Sequence, residues 1–340
     1  MPSLIINGDT VSIRLSSKHL ELVKRDPDSE RAFIKKKVPL FDVDRAVVIG
    51  RPNISIPVLQ RLMFYGIPTY FVTSKGRWIG SLTPDNNMNA QRRITQYHLS
   101  SDKQLSLKIA KKLVYAKIRN SRRVLQRLAA NRKLSDDPEH CKVVAELKNY
   151  SRLALLSDNL DSLRGYEGIS AAKYFSRLAT FFPDNIPFEE RSTRPPKNAA
   201  NALMSWTYTI VLGEVEAAVR CHGLDTCIGF LHTVSHGTPS LALDLLELLR
   251  APLCDLLVMN ILNHNILTDE SFEFHADDGG TYLKNDSKKD FFFSYEMAMN
   301  RKFKLKQGEP HTDFRKIIDN SVISILHALE KKDFSFFIMP

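Results

Sequence analysis

Residues 84–87 read Pro-Asp-Asn-Asn, and the character of the sequence changes at this point. These residues form turns readily, and the stretch has no regular spacing of apolar side chains, which is typical of a linker. Before them, short β-type runs such as residues 4–6 and 69–72 are separated by turn signals. After them, apolar residues recur at helical spacing, as they do in the segment 105–113. The sequence therefore predicts strands first and helices afterwards.

The length of the chain agrees with a division at this linker. A chain of 340 residues is long enough for two domains, each with its own core. We therefore predict an α+β fold with an N-terminal β-rich domain over residues 1–84 and a mainly α-helical domain over residues 85–340. The residues from about 335 onward are predicted to be disordered.

Composition limits the location of the protein. No apolar run reaches the roughly 18 residues that a membrane-spanning helix needs, so no membrane partner is expected. The four cysteines include no CxxC pair, and the N-terminal residues do not resemble a signal peptide. We expect reduced thiols and a cytoplasmic protein.

Positive charge is concentrated in one stretch. The chain has a formal net charge of +10, and residues 92–133 contain thirteen Lys and Arg but one acid, Asp102. That stretch carries a net +12, so the rest of the chain sums to −2. Such a helical stretch favours contacts with a nucleic-acid backbone, although a solvated helix face is the simpler alternative. The basic side chains that we assign to nucleic acid are Arg92, Arg93, Arg122, Arg123 and Arg127.

The segment 229–250 is rich in metal-ligand side chains. His232 precedes a loop, Ser240 is predicted to cap the next helix, and Asp244 and Glu247 share one face of that helix. Carboxylates with an imidazole suit Mg²⁺ or Mn²⁺ better than a metal that prefers thiolates. The alternative is an ordinary amphipathic helix with exposed acids and a core histidine. The chain contains no GxxxxGK[ST], GxGxxG or HExxH motif, which argues against the commonest nucleotide hydrolases, dehydrogenases and zinc proteases.

A second segment contains Glu167 between Gly165 and Gly168. A carboxylate among small neighbours is open to close approach by a large polymer. By itself, however, this pattern does not separate a functional glutamate from an ordinary surface one.

Four segments together, in this order along the chain, resemble a known family. The first, from residue 165, reads Gly-Tyr-Glu-Gly-Ile-Ser-Ala, and the second, from residue 194, reads Arg-Pro-Pro-Lys-Asn. The third reads Gly-Leu-Asp from residue 223 and Gly-Phe-Leu-His from residue 229. The fourth, from residue 240, reads Ser-Leu-Ala-Leu-Asp-Leu-Leu-Glu. This signature is similar to that of CRISPR-associated protein one, an endonuclease and integrase family that acquires CRISPR spacers. One departure is the loop 236–239, which has no arginine.

The resemblance implies a site and a reaction. Glu167, His232 and Glu247 would be the metal ligands, and Asp244 would be an accessory catalytic acid. A 3′-hydroxyl of double-stranded prespacer DNA would attack a phosphodiester of the repeat array, with Mg²⁺ or Mn²⁺ as cofactor. The β-rich domain would form a homodimer, and CRISPR-associated protein two would be a partner.

Two alternatives remain open on the sequence. One is a transposon-borne integrase of the same superfamily. The other is a non-catalytic, basic nucleic-acid-binding scaffold, whose acids merely decorate helices.

Overall fold

The computed structural model describes residues 3–8, 11–25, 32–82 and 89–340. The linker predicted at residues 84–87 lies outside these ranges, so the division into domains at that point stays a prediction. The α+β fold class is confirmed, because strands dominate the first described ranges and helices the last.

Among the described residues, the N-terminal part contains eight strands and one α-helix. They are β1 (Ser3–Asn7), β2 (Val11–Ser16), β3 (His19–Arg25), β4 (Ala32–Pro39), β5 (Arg45–Ile49), β6 (Asn53–Ile54), α1 (Ile56–Phe64), β7 (Thr69–Val72) and β8 (Trp78–Leu82). One sheet has the order β1-β5-β7-β8, with its first three strands parallel, and the other has the order β4-β3-β2-β6.

The sheet β1-β5-β7-β8 has a hydrophobic core on each face. Side chains of a strand alternate between the two faces of its sheet, and β5 is apolar at every position from 46 to 49. Ala46 and Val48 join a small core with α1 and the second sheet, whereas Val47 and Ile49 join the large core of the helices. The sheet is therefore a shared wall between the two cores.

The C-terminal part is built from nine helices and a hairpin among the described residues. They are α2 (Ala90–Ser100), α3 (Lys103–Asn131), α4 (Pro138–Leu156), α5 (Leu160–Ala179), α6 (Ala199–Cys221), α7 (Ser240–Leu249), α8 (Leu256–Asn263), β9 (Phe272–His275), β10 (Gly280–Leu283), α9 (Lys288–Asn300) and α10 (Phe314–Leu329). No helix among the described residues is long and apolar enough to cross a membrane.

Several of these helices begin with the same chemistry. Asp102, Asp137, Asn159 and Asn198 each precede a helix and accept a hydrogen bond from one of its first free backbone N–H groups. These caps fix the starts of α3, α4, α5 and α6, and two of these helices, α3 and α5, line the candidate site.

The sheet docks on α6 through a close aromatic contact. A Cβ at Gly213 of α6 would lie 2.6 Å from a ring carbon of Trp78 on β8, so only glycine admits the ring. Burial raises the pKa of Glu214, the next residue, but Arg45 of β5 and Arg315 of α10 outweigh this and lower it. Glu214 forms ion pairs with both arginines. Apolar packing and a buried ion network thus fix the sheet to the helices.

The segment 333–340 packs on α3 instead of remaining disordered. Phe336 and Phe337 are 7% and 9% exposed. The side chain of Asn120, in α3, donates 3.0 Å hydrogen bonds to the carbonyl oxygens of Phe337 and Leu248 and accepts a 2.7 Å bond from the backbone N–H of Met339. The prediction of disorder from residue 335 is therefore wrong, because aromatic side chains anchor this segment.

Candidate active site

Glu167 and Glu247 meet at one ammonium group. Glu167 lies in the middle of α5, Glu247 in α7, and Lys117 in α3. Lys117 forms an ion pair with Glu167, and its Nζ lies 2.7 Å from Oε2 of Glu247. The tertiary fold therefore brings together two carboxylates that are 80 positions apart in the sequence.

Glu247 is buried and still ionised. Only 3% of the residue is exposed, and its Oε1 lies 3.1 Å from Nη1 of Arg250, one helical turn further on. Burial alone would raise the pKa of Glu247, but Arg250 and Lys117 outweigh that effect and lower the pKa to about 2. The two acids of α7 are thus buried, contrary to the interpretation of this helix as one with exposed acids.

His232 is held by Asp244. The ring Nδ1 of His232 lies 2.7 Å from Oδ1 of Asp244, which is fully buried. The same carboxylate accepts hydrogen bonds from the backbone N–H groups of Phe230, Leu231 and His232 itself. Such a contact at Nδ1 orients the ring and leaves Nε2 as the atom available to a ligand.

The loop before α7 depends on a glycine. A Cβ at Gly229 would lie 2.7 Å from the carbonyl carbon of Ser240 and 2.8 Å from Oδ2 of Asp244. The prediction that Ser240 caps α7 is wrong, because Ser240 is the first helical residue and its hydroxyl donates to the carbonyl oxygen of Thr233. Ser240 therefore fixes the loop that carries His232.

Glu167, Glu247 and His232 have the donor types that a divalent cation needs. Within the described ranges, no three His, Cys, Asp or Glu side chains converge closely enough to hold a metal ion. However, Glu167 and Glu247 already enclose one cation, the Lys117 ammonium, and Oε2 of Glu247 is buried without a hydrogen bond of good geometry. Two carboxylates and one oriented imidazole fit Mg²⁺ or Mn²⁺ in chemistry.

A cavity of about 30 Å³ adjoins the carboxylates, and it is lined by Lys117, Glu167, Glu247, Tyr174 and Asp255 among others. Asp255 accepts hydrogen bonds of 2.7 and 2.6 Å from the hydroxyl groups of Tyr174 and Tyr208. Burial nevertheless raises the pKa of Asp255 to about 6. Asp255 is therefore an acid in the cavity wall whose ionisation is costly, in contrast to Glu247.

The arginines assigned to nucleic acid lie on α2 and α3 in different environments. Arg123 and Arg127 are exposed on α3. Arg122 donates through Nε to the carbonyl oxygen of Val144, and Arg92 donates to that of His222. Arg93 is half-buried on α2. Arg123 and Arg127 are thus the two of this set with open side chains.

Sequence reasoning missed two charged residues of the site. Lys117 counts in the sequence as one of thirteen basic side chains, yet it points into the protein toward Glu167 and Glu247. No local pattern distinguishes it from its neighbours. Arg250 had a usable signal, because its position three residues after Glu247 places the two on one helix face.

Comparison with known proteins identifies relatives. The family model "CRISPR associated protein Cas1" matches residues 4–297. The CRISPR-associated endonuclease Cas1 1 of Thermodesulfovibrio yellowstonii is 31% identical over 92% of this chain and 98% of its own length. The Cas1 4 endonuclease of Methanospirillum hungatei is 33% identical over 80% of this chain and 75% of its own length.

Solved structures share the fold at lower identity. A CAS1 protein from Thermotoga maritima superposes with a TM-score of 0.80 at 23% identity, over 98% of both chains. A casposase bound to integration product gives a TM-score of 0.83 at 23% identity, over 100% of this chain and 94% of its own. A Cas6-RT-Cas1–Cas2 complex gives 0.79 at 22% identity, over 99% of this chain and 36% of the other.

Proposed function

We propose an activity from one premise: the chain belongs to the Cas1 family of CRISPR-associated endonucleases. The proposed activity is that of a metal-dependent DNA integrase that inserts spacer DNA into a CRISPR repeat array. The observation that carries it is the meeting of Glu167 and Glu247 around one cation, with His232, which Asp244 orients, close enough to help lower the pKa of Glu247.

Glu167, His232 and Glu247 would hold the metal. A bound Mg²⁺ or Mn²⁺ supplies charge neutralisation at the phosphoryl group that is transferred. Asp244 holds His232 through Nδ1, which leaves Nε2 as the ring nitrogen for a metal, and Arg250 orients the carboxylate of Glu247. Asp244 is therefore proposed as a positioning residue in place of an accessory acid.

The proposed reaction needs no covalent bond to the protein. The oxygen of a DNA 3′-hydroxyl bonds to phosphorus and gives up its proton. The existing bond from phosphorus to the leaving 3′ oxygen breaks, and that oxygen takes up a proton, so that the strands exchange without net change in charge. Water in place of the attacking hydroxyl gives strand cleavage from the same site. The protein contributes positioning and charge, which are the main needs of phosphoryl transfer.

We propose double-stranded DNA, both prespacer and repeat array, as the substrate, with the reaction taking place in the cytoplasm. Arg123 and Arg127 would contact the backbone of this DNA from the open side of α3, with Arg92, Arg93 and Arg122 at its margins. A Cas2 protein is the proposed partner, because the similar Cas1 chain noted above is part of a complex with Cas2.

Residues 1–84 are proposed to form the homodimer contact. Three large apolar side chains support this, since Phe41, Ile56 and Phe64 are 71%, 65% and 76% exposed in the single chain. The remaining part, residues 85–340, would carry catalysis.

A transposon-borne integrase is the second candidate, because the casposase shares the fold over the whole chain. The DNA target separates the two candidates. A preference for repeat-array DNA favours spacer acquisition, and a preference for terminal inverted repeats favours transposition.

The test is a strand-transfer assay with labelled DNA and Mn²⁺, in the presence of the Cas2 partner. Glu167→Gln and Glu247→Gln should each lower the rate more than about 100-fold, since each removes a proposed ligand charge. Asp161→Asn, on the same helix as Glu167 but with a side chain 96% exposed, should leave the rate unchanged. Wild-type rates in Glu167→Gln would refute the site, and metal-independent DNA binding without strand transfer in the wild type would favour the scaffold.

A further inference from the structure

Lys117 occupies the position between the two proposed carboxylate ligands. Its side chain is 15% exposed, that of Glu167 is 26% exposed and that of Glu247 is 3% exposed. The three side chains come from three different helices, α3, α5 and α7. The contact therefore depends on the tertiary fold and not on neighbouring positions in one helix.

The charges of this cluster are balanced without any added ion. Glu167 and Glu247 contribute two negative charges, and Lys117 and Arg250 contribute two positive charges that pair with them. Without Lys117, two carboxylates would face each other in a partly buried place, where repulsion is weakly screened. Lys117 thus provides the charge that lets the carboxylates stay close together.

The same position would be needed by a metal shared between Glu167 and Glu247. An ammonium and a divalent cation cannot occupy one gap between two carboxylates, and like charges a few ångströms apart repel strongly at low dielectric. A lysine side chain has four flexible carbons and a compact charge, so it can leave such a position without moving its helix.

We propose that Lys117 is an internal counter-ion that competes with the divalent metal for Glu167 and Glu247. The inference rests on the proposed metal site and adds a determinant of its affinity. The Lys117 ammonium holds the carboxylates together in the metal-free protein and must leave them before they can share a divalent ion. Metal affinity is therefore lower than the carboxylates and His232 alone would give.

The test measures Mn²⁺ binding directly by isothermal titration calorimetry on the full chain. Lys117→Met keeps the length of the side chain and removes its charge, so it should bind Mn²⁺ about tenfold more tightly or better. Lys117→Arg keeps the charge and should show no such gain. Lys108→Met, an exposed lysine of the same helix, is the matched control and should bind as the wild type does.

A second readout is independent of calorimetry. Without metal, Lys117→Met should melt at a lower temperature than the wild type, and saturating Mn²⁺ should raise its melting temperature by more than it raises that of the wild type. If Lys117→Met does not fold without metal, Lys117→Gln removes the charge but keeps a hydrogen-bond donor, and it too should bind Mn²⁺ more tightly.

The outcomes separate the counter-ion from the metal site. Equal or weaker Mn²⁺ binding in folded Lys117→Met and Lys117→Gln would overturn the counter-ion and leave the proposed function standing. If the wild type binds Mn²⁺ no better than Glu247→Gln does, both the counter-ion role of Lys117 and the proposed metal site are overturned. We expect Lys117→Met and Lys117→Gln to bind Mn²⁺ more tightly than the wild type does. Adding Glu247→Gln to either variant should abolish that gain.

Discussion

Removal of the Asn120 side chain should both destabilise the protein and loosen the candidate site. Residue 252 is a proline without an N–H group, so the carbonyl oxygen of Leu248, four positions earlier, lacks its usual helical donor. Asn120 supplies that donor instead. A π-helical turn, Arg250–Asp255, follows α7 at this place. Asn120 thus compensates for the proline next to Glu247.

The size of the effect follows from three hydrogen bonds. Asn120→Ala leaves the carbonyl oxygens of Leu248 and Phe337 and the N–H of Met339 without this partner, in a place where Asn120 itself is fully buried. At about 1 kcal/mol or more for each orphaned group, the free energy of unfolding should fall by about 3 kcal/mol.

The assay is urea unfolding followed by circular dichroism. Asn300→Ala is the control, because Asn300 also takes part in three side-chain hydrogen bonds but is exposed. It should cost less than about 1 kcal/mol, since water replaces its partners. A loss in Asn120→Ala no larger than that in Asn300→Ala would refute the reasoning.

Two further predictions concern pH and salt. Because the pKa of Asp255 is raised from 3.8 to about 6, the folded protein holds this proton more tightly, and its ionisation should cost about 3 kcal/mol of stability as pH rises from 4 to above 6. Asp255→Asn should lack this loss, and unfolding free energies at pH 4.5 and 7.5 that change equally in both proteins would contradict the assignment. The paired change Arg123→Glu with Arg127→Glu should weaken DNA binding and flatten its dependence on salt, because both side chains are open on α3. Fluorescence anisotropy over a salt series measures the slope, and a slope equal to that of the wild type would remove α3 from the DNA path.

Much of the fold follows from local patterns. The apolar runs at β1, β5 and β7 and the helical periods of α3 and α7 are strong signals, and the structure places the elements there. The strand β4 is harder to predict because residues 35–37 are three consecutive lysines, which break the alternation of a half-buried strand. The hairpin of β9 and β10 is missed for a different reason, because its short strands lie within a mainly helical stretch.

The candidate site, too, can be predicted from the sequence only in part. The spacing on α7 places Asp244 and Glu247 one turn apart, which the sequence alone predicts. It does not predict that Asp244 is turned to the loop of His232 while Glu247 is turned to α3. The meeting of Glu167 with Glu247 and the inward direction of Lys117 depend on how three helices pack, and no periodicity contains that information.

The wall shared by the two cores has a consequence for cooperativity. Because β5 presents Ala46 and Val48 to one core and Val47 and Ile49 to the other, neither core can lose its packing without disturbing the same five-residue strand. The amide hydrogens of β5 should therefore exchange with solvent only when both cores open, and they belong among the most slowly exchanging in the molecule. The strand-rich part and the helical part would then unfold as one unit, even though they differ in architecture.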